Sequence, residues 1–231
     1  MLVTITALLF SCEAAKLVDL EPIAIEIIDR VGGNDGSIFI VETQNLVPNQ
    51  TVYYVELDVK NSELIHKFKA EKGLTASYCA LELYRRIPQK WGDDYYGYNI
   101  IFDSEEDFLS RRTYFYTREE LELISPALDK VNEYLFAISE NRLEYAAKLI
   151  DTTFYQLDAL EITASVANQI GTDVIETRQF FMPQLYTFDH KTIECLNVTT
   201  MVFKSDRSQR NIYFRVPKRT EKMRIMKVQV K

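Results

Sequence analysis

The hydrophobic pattern of this chain changes period at Gly171, and that change constrains the fold more than any other feature of the sequence. Before it, apolar residues recur at helical spacing. Leu128, Val131, Leu135 and Ile138 keep one face apolar, and Asp158 to Ile170 makes a last helical run that Gly171 closes. After it the period is two. Val174 to Met182, Thr192 to Phe203, Asn211 to Val216 and Met223 to Val230 read as four strands, with Asp189-His190-Lys191 and Ser205-Asp206-Arg207-Ser208 as turns. Helices followed by an antiparallel meander predict an α+β fold, with helices packed on a C-terminal antiparallel sheet.

The rest of the chain is read the same way. A mixed α/β region occupies residues 1–103. Pro22 is expected to open a short helix through Ile23, Ile27, Ile28 and Val31, ended by Gly32-Gly33, with a strand as the competing reading. Ser37 to Thr43 and Val52 to Val59 read as strands around a Pro48-Asn49 turn. Thr75 to Ile87 reads as an amphipathic helix stopped by Pro88, and Tyr95 to Phe102 as a strand. Residues 103 to 116 are the expected boundary between two domains, 1–103 and 104–231: acidic Asp103 to Asp107, then Arg111-Arg112 and the cluster Tyr114-Phe115-Tyr116. Thr117 with Glu120 has capping-box spacing, Pro126 is expected to reset the helix, and Ser139 to open another run to Ile150. The helix-then-meander order resembles the NTF2-like and cystatin-like topologies in shape. No motif accompanies that resemblance, and it implies an arrangement of elements rather than an activity.

The first twelve residues, MLVTITALLFSC, carry an apolar run too short to span a bilayer. Followed by Ser11-Cys12, the run resembles the end of a bacterial lipoprotein signal, which implies a lipid on Cys12. The first basic residue is Lys16, however, so the positive start of a signal is missing. A β-strand, with Val3 and Ile5 alternating with threonines, is the favoured reading.

Charge is the second constraint. Lys204 to Lys231 holds ten lysines and arginines against two acids, Asp206 and Glu221, a net +8. The remaining chain holds 17 basic and 32 acidic side chains, a net −15. An acidic body thus carries a basic terminal segment. Three readings follow. The cations line the wet side of a final hairpin; or they meet the acidic body of another copy, head to tail; or they contact phosphates or an anionic membrane. The acidic body disfavours nucleic acid, whose backbone it would repel. Arg207, Arg210, Arg215, Lys218, Arg219, Lys222, Arg224 and Lys227 are the expected contact residues.

The materials for catalysis are sparse. His66 and His190 lie in no metal-binding or triad spacing, and Cys12, Cys79 and Cys195 form no metal-ligand or disulfide framework. Cys79 and Cys195 fall inside predicted elements, where a packed thiol is expected rather than a nucleophile. No phosphate-cradling glycine loop and no GxSxG occurs; the one glycine cluster, Gly32-Gly33 with Asn34-Asp35-Gly36, is a turn signal. The carboxylates of Asp93-Asp94 and Glu105-Glu106-Asp107 are sequence neighbours, which rarely face each other across a substrate. Trp91 to Tyr98 is expected to be an aromatic-acidic loop that anchors a partner through Trp91, Tyr95, Tyr96 and Tyr98, the alternative being rings folded onto the domain.

The expected function is a non-catalytic structural or interaction protein, one subunit of a virion-like or other multiprotein particle, with protein partners or copies of itself. No cofactor or metal is expected, and the expected location is intracellular or within the particle. Two alternatives stand beside it: an envelope lipoprotein anchored at Cys12 that binds a ligand or partner, and an enzyme without a sequence signature.

Overall fold

Eight strands in two separate sheets carry the described part of the chain, with α-helices set before and between them. The computed structural model describes residues 11–44, 50–68, 73–87, 95–103, 111–154, 158–188, 191–218 and 223–231, with the backbone alone at 11–18, 188 and 191. It divides into two units, residues 1–121 and 122–231. The strand and signal readings of residues 1–10 lie outside the described residues; Cys12 falls in the first turn of a helix.

In the first unit, α1 (Ser11–Arg30) precedes β1 (Asp35–Thr43) and β2 (Val52–Lys60). Then come α2 (Glu63–Lys67), α3 (Gly73–Arg86), β3 (Tyr95–Asp103) and β4 (Arg112–Thr117). Leu20, Ala24, Ile27, Ile28 and Val31 recur at helical spacing and are fully buried, and each of the larger ones contributes roughly 1.5–3 kcal/mol by leaving water. The helix does not start at Pro22, as the sequence suggested, but runs through it. Pro22 is exposed, so the backbone beside it stays accessible to water and the lost N–H bond is tolerated. Gly32, at a left-handed φ of 67°, ends the helix and turns the chain toward β1.

The sheet order is β1-β2-β3-β4. The outer pairs are antiparallel and β2-β3 is parallel, with α2 and α3 in the connection. Val55, Leu57 and Val59 of β2 and Tyr98, Ile100 and Phe102 of β3 share the buried face. Helix α1 meets that face at Gly36, where a Cβ would strike the Ile28 side chain. Helix α3 meets it where Tyr84 sits edge-on to Tyr98 at 6.4 Å. The opposite face carries Tyr54, Glu56, Asp58, Asn99 and Phe115. Tyr114-Phe115-Tyr116 is therefore a strand and not part of a connection: aromatic residues suit a pleated, half-buried surface, and β3 supplies the ladder.

The division between units falls inside α4 (Arg118–Ser139). Thr117 Oγ1 accepts from the Glu120 N–H at 3.0 Å, the capping contact that the sequence predicts. Pro126 does not reset the helix; it too lies on the exposed side. Ser139 ends α4 rather than opening a new run, and α5 (Leu143–Lys148) follows a turn at Asn141, φ 55°. A 3-10 turn at Thr152–Phe154 leads to α6 (Ala159–Ile170), capped by Asp158 and closed at Gly171, φ 76°.

The second sheet is the expected antiparallel meander, β5 (Val174–Phe188), β6 (Lys191–Lys204), β7 (Gln209–Pro217) and β8 (Lys227–Val230), in that order. Gln179 donates from Nε2 to the Leu128 carbonyl at 3.0 Å, and Tyr134 packs edge-on against Phe214 at 5.9 Å, which places α4 on one sheet face. β5 continues past Met182 through Pro183, which an edge strand tolerates when the imide nitrogen faces away from its neighbour. β8 is shorter than expected. Ile225 instead makes a parallel bridge with Ile150, donating to Leu149 at 2.8 Å and accepting from Asp151 at 2.9 Å.

Candidate functional site

Alternation along each strand sorts the second sheet into two faces. Leu196, Val198, Thr200 and Val202 of β6 face the helices, with Ile212, Phe214 and Val216 of β7. The other face carries a row of four cross-strand neighbours, Met182, Asn197, Arg215 and Lys227, one from each strand. Met182 and Lys227 are exposed, and Asn197 and Arg215 half-exposed. Phe180, Thr199 and Met201 on this face are buried on one side of the row, and Cys195 and Pro217 on the other, so exposure on this face is that of the row's own side chains and of Gln184.

Arg215 is held in place in this row. Its Nε donates to Asn197 Oδ1 at 3.0 Å, and its guanidinium carbon lies 4.3 Å from the centroid of the Tyr186 ring. Asn197 in turn donates from Nδ2 to Gln184 Oε1. The last pair of the β6–β7 ladder is Cys195 with Pro217, so Tyr186, paired with Ile193, belongs to the part of the β5–β6 hairpin that outreaches β7. Two further cations on this face also lie over rings: Arg178 over Phe203 at 4.4 Å and Lys231 over Tyr213 at 4.9 Å. Arg178 additionally pairs with Glu176 at 2.8 Å, whereas no described carboxylate lies within ion-pair distance of Arg215 or Lys227. An arginine with its Nε and one ring face committed keeps its terminal N–H groups for a planar, bidentate acceptor such as a carboxylate.

The described members of the expected contact set do not gather into one strip. Arg207 sits on the β6–β7 turn with a left-handed φ of 65°, and Arg210 is exposed at the start of β7. Lys218 follows the far end of β7, its N–H bonded to the Glu194 carbonyl at 2.8 Å, and Arg224 is exposed just before Ile225. At about 3.4 Å per residue the two ends of β7 are roughly 27 Å apart. Among the described ones, only Arg215 and Lys227 are cross-strand neighbours. Lys204 is paired with Asp173 at 3.1 Å and draws that carboxyl below its ordinary value. Arg219, Lys222 and His190 lie outside the described residues.

The aromatic-acidic loop is also redistributed. Trp91 lies outside the described residues, and residues 95–98 are strand. Tyr95 and Tyr98 are 3% and 1% exposed, so both rings belong to the core and neither can anchor a partner. Tyr96 is exposed and stacks on Phe115 at 6.2 Å. The strand register slips at Tyr53/Tyr54, and Tyr96 is the residue left over between the pairs Tyr53–Tyr95 and Tyr54–Gly97.

Sequence reasoning missed Tyr186, Asn197 and Gln184. Only strand register brings them to Arg215; alternation places them on a face without saying what lies opposite. The thiols of Cys79 and Cys195 are buried, and burial pushes both above the ordinary thiol value, which suits packing and not attack. No group of three or more His, Cys, Asp or Glu side chains among the described residues is placed to hold a metal ion, and no described helix is long and apolar enough to cross a membrane. Comparison of the chain with protein-family models, curated proteins and solved structures finds no match, so its function has to be argued from the chemistry of this face alone.

Proposed function

We propose that this chain is a non-catalytic interaction protein, one subunit of a larger assembly, whose C-terminal sheet recognises a carboxylate-bearing protein surface through Arg215 and Lys227. The observation that carries this reading is the posture of Arg215. It is braced by Asn197 and Tyr186, stands beside Lys227, and is accessible with no described carboxylate to neutralise it. Bracing reduces the side-chain freedom lost on binding, which is how a half-exposed arginine becomes an anchor rather than a solvated charge. The net +8 of the terminal segment adds long-range steering toward an acidic partner.

The test uses the full chain and poly-L-glutamate as a probe of acidic protein surface, followed by calorimetry at about 20 mM and about 500 mM NaCl. Binding is expected at low salt and is expected to weaken sharply at high salt. R215E/K227E should abolish it, while R207E/R210E, with the same charge change at the other end of β7, should retain most of it. Equal losses in the two variants would reduce the effect to net charge, and absence of binding would end the proposal.

A further inference from the structure

The face of the first sheet turned away from α1 and α3 carries acceptors of the kind that an arginine and a lysine bind. Glu56 and Asp58 stand two residues apart on β2 and therefore on the same face, about 7 Å from each other along the strand. Asn99 pairs with Glu56 across β3 and donates to it from Nδ2 at 2.8 Å. The other end of that amide is unusual. Asn99 is 8% exposed, and its Oδ1 is buried with no hydrogen-bond partner among the described residues. Asp58 Oδ1, in the neighbouring row, is buried and unpartnered as well. Both orphans are acceptors, and leaving a buried acceptor unmade is costly enough to call for a donor. Half-exposed rings lie beside these residues: Tyr54 lies edge-on to Phe115 at 5.6 Å, and exposed Tyr96 stacks on Phe115 at 6.2 Å. Gly97 allows the Phe115 ring to lie this close, because a Cβ there would be 2.8 Å from its edge.

We propose that this face, Glu56, Asp58 and Asn99 beside Tyr54, Tyr96 and Phe115, receives Arg215 and Lys227 of a second copy of the chain. The inference rests on the reading of the C-terminal sheet given above and adds the identity of the partner. The chemistry is complementary at each position. N–H donors of a guanidinium or ammonium satisfy Asn99 Oδ1 and Asp58 Oδ1, the carboxylates balance the two cations, and the rings accept a cation over their faces. Donor and acceptor surfaces are different patches of the same chain, so each contact sets the basic pair of one copy on the acidic face of another.

Sedimentation velocity on the full chain across a concentration series, at low and at high salt, tests this. Self-association is expected at low salt. E56Q/D58N, which keeps shape and removes charge, is expected to weaken it about tenfold or more, as should R215E/K227E. The decisive arm mixes R215E/K227E with E56K/D58K, in which the reversed arm of one variant fits the reversed face of the other. Each alone should stay monomeric and the mixture should associate, since the native arm of the second variant also fits the native face of the first. A chain that never self-associates, an association indifferent to E56Q/D58N, or a mixture that restores nothing would overturn the proposal. If poly-L-glutamate still binds through Arg215 and Lys227 in any of those cases, the functional reading survives with a different acidic partner. If that binding is missing too, both readings fail.

Discussion

Replacing Arg215 by lysine keeps the positive charge and removes the shape that the site depends on. The guanidinium over Tyr186 at 4.3 Å is worth about 0.5–1 kcal/mol at a half-exposed position, and the Nε bond to Asn197 at 3.0 Å about 1 kcal/mol. Lysine can keep part of the ring contact and has no planar Nε–H to offer Asn197. Arg215→Lys should therefore destabilise the fold by about 1 kcal/mol, read as a lower midpoint at unchanged slope in urea unfolding followed by circular dichroism. The effect on recognition should be larger than that of a lost point charge, which is zero here. Without the fork and without bracing, affinity for poly-L-glutamate should fall about tenfold, while its dependence on salt stays the same. Asn197→Ala, which leaves the arginine but removes its brace, should show a smaller loss in the same direction. If Arg215→Lys matches the parent chain in both stability and affinity, the posture of Arg215 contributes nothing, and recognition is a matter of charge alone.

Three further outcomes follow from the structure. Burial holds the Asp58 carboxyl above its ordinary value, so its ionised form opposes folding. That contribution to stability is intact below the unfolded-state pKa and is lost as pH rises through the folded-state one. Asp58→Asn should then raise the melting temperature at neutral pH and leave it unchanged in acid, and it should do so while weakening self-association, a combination that a purely structural role for Asp58 does not produce. Gln179→Ala deletes a buried side chain that ties β5 to the Leu128 carbonyl of α4, and should cost about 2 kcal/mol in urea unfolding; a loss below about 0.5 kcal/mol would mean that this tie is dispensable. Cys79 and Cys195 should resist alkylation by iodoacetamide in the native chain and react on unfolding, as mass spectrometry would read; rapid native labelling of either would contradict its burial and raised pKa.

The sequence by itself determined the features that are written within a turn or two of chain. The change of period at Gly171, the Thr117 cap, the helix closed at Gly171 and the alternation in β2 each depend on residues a few positions apart, and each appears where the pattern puts it. Local rules misled where solvent or a distant strand had the final say. Pro22 and Pro126 stay inside helices because they face water, Tyr114-Phe115-Tyr116 is a strand because β3 pairs with it, and Tyr95 and Tyr98 are core because that strand turns them inward. The charge asymmetry was plain in the sequence, but its arrangement was not. Only the tertiary structure spread Arg207, Arg210, Lys218 and Arg224 along the sheet and placed Arg215 beside Lys227, Asn197 and Tyr186. Only the pairing of β2 with β3 put Asn99 against Glu56 and left two buried acceptors unmet. The physical reason is the same in each case: alternation assigns a side chain to a face, whereas its neighbours on that face are chosen by the register of strands far apart in the chain, which long-range burial decides.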